Sequence, residues 1–163
     1  MDNSGRKGDV EWHLPDNVER TLEILEKIAT MVQKWIEEGI RSDTFYGIEL
    51  LNEPLGQSEK IWSVLKDDFY PRGYAAIRNI ITNTDIKVVI EQAFKEGRHF
   101  LNYMSTDEGY TGVNLDMHLY HAFGSFWNDM AVASQREQSW QIHVKHACHY
   151  ASKVNSLVHG LSH

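Results

Sequence analysis

The chain has 163 residues, 42% of them hydrophobic, with five Trp, seven Tyr and six Phe. This length and apolar content suit one globular domain and exclude a disordered tail. The formal net charge of −7 provides no sequence-wide basic field for phosphate groups, which excludes nucleic acid and anionic membranes as expected partners. Neutral or polar ligands fit this composition better.

The sequence also argues against a protein held together by disulfides and against a membrane-spanning protein. A single cysteine, Cys148, excludes an intramolecular disulfide framework. No apolar run approaches the ~20 residues that a membrane helix needs, and the first residues lack the apolar segment of a secretory signal. Localisation and oligomeric state are therefore left open by the sequence.

The first predicted element is a long amphipathic helix. Apolar residues recur at spacings of three and four from Val18 to Ile36, as they do on one face of a helix. Asp16 is the expected N-cap residue. Gly39 is the expected stop, because glycine readily adopts the backbone conformation that ends a helix.

Three short segments that follow predict β-strands, because each is rich in β-branched or apolar residues and ends at turn-forming or polar residues. The segments are Thr44–Leu51, Lys87–Phe94 and Val113–Tyr120. Helical patterns lie between and after them. A helix is expected from Ser58 to Ile81 with a bend or break at Pro71, then a short turn from His99 to Met104, and another helix from Ser134 to Leu157.

This alternation of strands and helices predicts an α/β fold with a parallel sheet and helices packed against it. The strands are mostly apolar, as expected for a sheet that helices cover. The pattern contains only three clear strands. A parallel sheet of three strands with bare edges is weak on its own, so we expect low stability from the isolated chain.

Polar side chains cluster where each predicted strand ends. The clusters are Asn52–Glu53, Glu91–Gln92 and His118–His121. Because the carboxyl ends of parallel strands meet at one edge of a sheet, we expect these side chains to lie close together. Asn, Glu, His and Tyr at one edge form a residue set suited to binding carbohydrate.

Glu53 is the leading candidate for a chemical role. Side chains alternate along a strand, so Glu49, Leu51 and Glu53 are expected on one face, with Glu53 nearest the mouth of the site. A carboxyl group held there and partly desolvated would have a raised pKa and could protonate a glycosidic oxygen. The alternative is a loop glutamate that caps the next helix or faces solvent.

The segment Gly47–Gly56 reads GIELLNEPLG and resembles the strand-four signature of glycoside hydrolase family 5, in particular its exo-1,3-β-glucanase branch. Asp2–Gly5 resembles the family's loop after strand three, Val88–Phe94 its strand five, and Asp116–Phe123 its strand six. The resemblance implies about three β/α units of a (β/α)8 TIM barrel that is not closed. Residues 1–163 would then be the central portion of a single glycoside hydrolase domain.

The resemblance also implies roles for individual residues. Glu53 matches the general acid/base of a retaining hydrolase that acts on β-1,3-glucan or related β-glucosides. Asn52 matches the residue that hydrogen-bonds the sugar 2-hydroxyl, an interaction that strengthens at the transition state. His118 and Tyr120 match the pair that lines the catalytic subsite. Phe123 matches an aromatic residue at the pocket entrance, with ordinary packing as its alternative.

Adjacent residues serve one site only if the strand alternation breaks, and Pro54 is expected to impose that break between Asn52 and Glu53.

Other candidates have structural interpretations. Glu49 and Asp116 are expected to be interior hydrogen-bonding residues below the rim. Most tryptophans at such positions pack, and this is expected of Trp12, Trp62 and Trp127. The histidines and cysteine at His143, His146, Cys148 and His149 lack zinc-ligand spacing, and the family chemistry needs no metal or other cofactor.

Retaining hydrolysis needs two carboxyl groups about 5 to 5.5 Å apart. The family takes its nucleophile from a Gly-Glu-Trp segment at strand seven, and these 163 residues contain no such segment. We therefore expect this polypeptide alone to be inactive, as a fragment of a longer enzyme. It would be extracellular or wall-associated if a missing N-terminus carries a signal.

Two alternatives remain open at this point. The first is a catalytically dead carbohydrate-binding paralogue or gene relic, and the second is an unrelated small β/α domain. Flanking genomic sequence separates the enzyme from the relic. A reading frame that continues into Gly-Glu-Trp favours the enzyme.

Overall fold

The computed structural model describes residues 9–56 and 58–118. These residues form a parallel three-stranded sheet in the order β1-β2-β3, with strands at Gly47–Glu49, Lys87–Glu91 and Val113–Asp116. Helix α1 spans Pro15–Glu37, α2 spans Glu59–Ser63 and α3 spans Tyr70–Arg78. Short 3₁₀ turns occupy Ser42–Thr44, Gly97–Phe100 and Thr106–Glu108. The predicted α/β arrangement with a parallel sheet is therefore confirmed for these residues, and the assignment to part of an unclosed (β/α)8 barrel stays a prediction.

Helix α1 confirms the predicted amphipathic helix, but the predicted N-cap was wrong. The N-cap is Leu14, which makes no side-chain capping bond, and Asp16 lies in the first turn. Pro15 starts the helix earlier because its fixed φ suits the first turn, where its missing N–H is not needed. At the other end Gly39 has φ of 98°, which confirms the glycine stop.

The segment around Pro71 is continuous rather than split. A π-helical stretch, Val64–Phe69, joins α2 to α3, and the Tyr70 N–H donates to the carbonyl of Leu65. Proline supplies no N–H and its ring crowds the carbonyl one turn earlier, so the wider π turn next to it accommodates both effects. The expected interruption thus takes the form of a local change in helix type.

All three strands are shorter than the sequence predicted. Residues Ser42–Thr44 form a 3₁₀ turn, so β1 starts only at Gly47. Strand β2 stops at Glu91 because Ala93 and Phe94 have φ of 54° and 56°, left-handed values that a strand does not accommodate. The predicted helix from residue 134 to 157 lies outside the described residues.

The two faces of the sheet differ in chemistry. Ile48, Leu50, Val88 and Ile90 are buried in one hydrophobic core together with apolar residues of the helices. Side chains alternate along a strand, so Glu49, Glu91 and Asp116 lie on the opposite face, where Glu91 pairs in register with Asp116. The burial of the apolar face therefore fixes which carboxyl groups share the polar face.

No helix within residues 9–56 and 58–118 combines the length and the apolar character that crossing a membrane requires.

Candidate active site

Glu53 and His118 meet at the carboxyl end of the sheet. His118 Nδ1 lies 2.9 Å from Glu53 Oε1, and each side chain is 20% exposed. Glu53 follows β1 and His118 follows β3, so two strands separated by β2 supply the pair. An ionised Glu53 accepts the hydrogen bond from Nδ1–H, which fixes the orientation of the imidazole ring.

The break in strand alternation falls at Glu53 itself. Its φ is 48°, in the left-handed region, whereas a following proline favours an extended conformation. The expectation that Pro54 imposes the break by restricting Glu53 was therefore wrong in its mechanism. Pro54 is buried, and the Trp12 indole N–H donates to the carbonyl of Leu55 at 3.4 Å, so packing beyond the turn holds the loop.

His118 also lies beside a second carboxyl group. Its Nε2 is 3.5 Å from Asp116 Oδ2, because residues two apart at a strand end point to the same side. The hydrogen bond with Glu53 raises the pKa of His118, partial burial opposes this, and the charges of Glu91 and Asp116 raise the pKa further. The imidazole therefore holds its proton to a higher pH than a free histidine.

Glu49 lies next to this pair, on the same face of the sheet. Burial is the main cause that raises the pKa of Glu49, and the negative charges of Asp116 and Glu53 add to it, while His118 lowers it. Its buried Oε1 has no hydrogen-bond partner among the described residues. Glu49 thus belongs to the electrostatic environment of the candidate site, where the sequence suggested an interior polar residue.

Glu91 is the group whose importance the sequence reading missed. It was placed at the rim, but the whole residue is 0% exposed. Burial raises the pKa of Glu91 to about 7, although the Ala93 N–H, which donates to its Oε2 at 2.6 Å, favours the charged form. The sequence did contain a signal for this burial. Glu91 ends an apolar run, where a carboxyl group cannot reach solvent easily.

The neighbouring Gln92 links the central strand to the His118 segment. Its Nε2 donates to the carbonyl of His118 at 3.0 Å, and the Gln92 residue is 6% exposed. This bond runs from β2 to the backbone that carries the imidazole. The sequence placed Gln92 in the same edge cluster as His118, and the structure brings the two residues into direct contact.

One group of side chains has a geometry that a metal ion could use. Ligand atoms of Glu49, Asp116 and His118 all lie within 4.8 Å of one another. One of these pairs, His118 Nε2 and Asp116 Oδ2, is 3.5 Å apart. That the site works without a metal stays a prediction from the family resemblance.

The structure describes some of the remaining candidate residues but not others. Asn52 is exposed and directly precedes Glu53. Trp12 is 1% exposed and packs near Phe69, which confirms its packing role, and Trp62 lies edge-on to Phe100 with ring centroids 5.4 Å apart. Several predicted positions lie outside the described residues, namely Asp2–Gly5, Tyr120, Phe123, Trp127, His143, His146, Cys148 and His149.

The chain is similar to fungal proteins over most of its length. It is 34% identical to a glucan 1,3-beta-glucosidase of Yarrowia lipolytica over 123 residues, which cover 76% of this chain and 27% of the relative. It is 31% identical to glucan 1,3-beta-glucosidase I/II of Saccharomyces cerevisiae over 159 residues, which cover 98% of this chain and 32% of the relative. A glucan 1,3-beta-glucosidase of Blumeria graminis is 31% identical over 154 residues, which cover 94% and 32% respectively.

No protein family model matches the chain. The chain spans about a third of the length of the curated relatives it matches. Its segment with Glu53 and His118 is therefore similar to part of proteins that carry the name glucan 1,3-beta-glucosidase.

Proposed function

We propose that these residues supply the acid/base half of the active site of a retaining β-1,3-glucan hydrolase of glycoside hydrolase family 5. Three strands of a (β/α)8 barrel would carry this half-site. The observation that supports this most is the contact of Glu53 with His118 at the carboxyl edge of a parallel sheet. The names of the similar fungal proteins point to the same substrate class.

In the proposed reaction Glu53 donates a proton to the glycosidic oxygen as that bond breaks, and later accepts a proton from the attacking water. A second carboxylate, about 5 to 5.5 Å away, attacks the anomeric carbon. These 163 residues contain no Gly-Glu-Trp segment to supply it. We therefore expect no cleavage of β-glucosides by the 163-residue polypeptide alone.

The surrounding residues bind and orient the sugar in this proposal. Asn52 holds the 2-hydroxyl, Tyr120 lines the same subsite as His118, and Phe123 stacks on a glucose unit at the entrance. His118 fixes the Glu53 carboxyl through their hydrogen bond. Neither a metal nor another cofactor takes part.

A second candidate function is carbohydrate binding by a non-catalytic protein. It rests on the same polar edge of the sheet, where Glu53 and His118 lie 2.9 Å apart. Both candidates require a β-glucoside to bind next to Asn52, Glu53 and His118. Hydrolysis by a longer natural protein that contains these residues separates the two.

The direct test of the shared site is an NMR titration of the chain with laminaribiose, a β-1,3-linked glucose disaccharide. We expect saturable shifts at Asn52, Glu53 and His118, and none with the α-linked disaccharide maltose. Asn52→Ala should weaken binding about tenfold, the effect of losing one hydrogen bond of about 1.4 kcal/mol. Asn79→Ala, at the end of α3, is the matched control. A folded chain that shows no saturable shift with laminaribiose, or equal shifts with maltose, would refute the proposal.

A further inference from the structure

Glu91 ends the central strand of the sheet, between the two strands that carry Glu53 and His118. It pairs in register with Asp116 of β3, and β1 lies on the other side of β2. The residue is 0% exposed. A fully buried carboxyl group at this position is costly to ionise unless nearby groups compensate it.

The two oxygens of the Glu91 side chain have different environments. Oε2 accepts a hydrogen bond from the Ala93 N–H at 2.6 Å. Oε1 is buried and has no hydrogen-bond partner within residues 9–56 and 58–118. The Tyr70 hydroxyl donates to the Glu91 carbonyl at 2.5 Å and accepts from the Glu91 N–H at 3.2 Å, so helix α3 fixes the backbone. The carboxyl group is therefore held in place while one oxygen remains able to carry a proton.

The turn held by this carboxyl group contacts His118 and lies next to the loop that follows Glu53. Ala93 and Phe94 adopt left-handed φ values, which residues other than glycine adopt at a cost, and the bond to Glu91 offsets part of it. Next to them, Gln92 donates to the carbonyl of His118. On the other side Ala93 packs near Gly56, where an added Cβ would lie 3.4 Å from the Ala93 Cβ.

We propose that Glu91 is a positioning residue of this site, whose buried carboxyl group holds the Gln92–Phe94 turn and, when ionised, stabilises the protonated imidazole of His118. This role at a hydrolytic site rests on the proposed function. The titratable groups that face Glu91 are Glu49 and Glu53 from the β1 side, Asp116 and His118 from the β3 side, and Tyr70 from α3.

The electrostatics of the cluster agree with this geometry. Burial raises the pKa of Glu91 to about 7, so its charge changes within the neutral pH range. The charge of Glu91 in turn raises the pKa of His118. As the pH rises through neutrality, the new negative charge on Glu91 therefore opposes the loss of the proton from His118. Glu91 acts on the pair through this charge and through the turn, without contact with a substrate.

The test is an NMR pH titration of the full chain at low temperature, with the His118 signal identified by its loss in His118→Asn. Glu91→Gln keeps an oxygen for the Ala93 N–H but cannot ionise, so it isolates the effect of charge. We expect it to lower the titration midpoint of His118 by about half a pH unit, the size typical of two partly solvated charges. Glu59→Gln, an exposed glutamate of α2, is the matched control and should leave the midpoint unchanged.

An equal His118 midpoint in wild type and Glu91→Gln would overturn the inference. If Glu91→Gln does not fold, the carboxyl carbon of Glu91 in the wild-type chain decides instead. A titration midpoint near 7 supports the inference, and one near 4.5 refutes it. The pH titration contains no sugar, so it tests the coupling of Glu91 to His118 independently of sugar binding. If this coupling is present but laminaribiose does not bind, only the proposed function is refuted. Intact sugar binding without the coupling refutes only the role of Glu91.

Discussion

Nδ1 of His118 lies 2.9 Å from Oε1 of Glu53, although 65 residues separate the two along the chain. The contact exists because β1 and β3 run parallel on either side of β2, so that both chain segments leave the sheet at the same edge. A carboxyl group paired with an imidazole in this way has a defined orientation. Its protonation depends on that of its partner.

Replacement of Glu53 by glutamine should lower the pKa of His118. The hydrogen bond that His118 donates to Glu53 is the main cause of the raised pKa, and the amide carries no charge to attract the imidazolium. An NMR titration of the His118 ring measures the midpoint in both proteins. An unchanged midpoint in a folded Glu53→Gln variant would show that the pair does not form in solution.

The same shift predicts how the pair contributes to stability. Because the pKa of His118 is raised in the folded state, its contribution is fully present below the ordinary value of about 6.5 and is lost as the pH rises through the folded pKa. The free energy of unfolding of wild type relative to His118→Asn should therefore fall as the pH rises above about 6.5 and through the folded pKa. Urea denaturation at several pH values checks this, and a difference that is independent of pH contradicts it.

Glu91 predicts a loss of stability in the wild-type chain between about pH 4.5 and pH 7. Its raised pKa means that the folded state holds the proton more tightly than the unfolded chain, so stability falls as the pH rises through this window. The loss is on the order of 3 kcal/mol. The Glu91→Gln side chain cannot ionise, so the variant lacks this pH-dependent loss. Over this pH window its free energy of unfolding, measured by denaturant unfolding, should therefore rise relative to that of wild type by this amount. If the free energies of unfolding of wild type and Glu91→Gln change equally with pH, the prediction is wrong. The control Glu59→Gln should show the same pH dependence as wild type.

Tyr70→Phe should destabilise the chain by about 2 kcal/mol. The Tyr70 hydroxyl serves both the carbonyl and the N–H of Glu91 in a buried position, and its removal leaves these backbone groups without that partner. The free energy of unfolding from urea denaturation measures the effect. Tyr110→Phe, at a half-buried ring, is the control and should change stability by less than about 0.5 kcal/mol.

We expect the 163-residue polypeptide to show no turnover of an aryl β-glucoside, because no Gly-Glu-Trp segment supplies the second carboxylate. Release of the chromophore, measured with and without Glu53→Gln, checks this. Turnover that Glu53→Gln abolishes would refute the expectation of inactivity. A longer natural protein that contains these residues should hydrolyse laminarin with retention at the anomeric carbon, and Glu53→Gln should reduce that rate.

The sequence alone predicted which polar residues follow each strand and that they meet at one edge of the sheet. The apolar runs around Ile48, Ile90 and Leu115 predicted strands, and parallel strands bring their polar ends to one edge. The same pattern predicted that Glu53 lies near His118. The predicted strand ends were too long, because neither the 3₁₀ turn at Ser42–Thr44 nor the left-handed pair at Ala93 and Phe94 has a distinct composition signal.

By itself the sequence determined the α/β pattern, the α1 helix and the strand edge at which polar residues collect, because apolar periodicity and turn residues act over a few neighbours. The tertiary structure alone decided that Glu91 is fully buried, that His118 lies between Glu53 and Asp116, and that Tyr70 holds the end of the central strand. Burial and charge proximity depend on segments far apart in the chain. The pKa values of these groups therefore follow from packing and not from residue type.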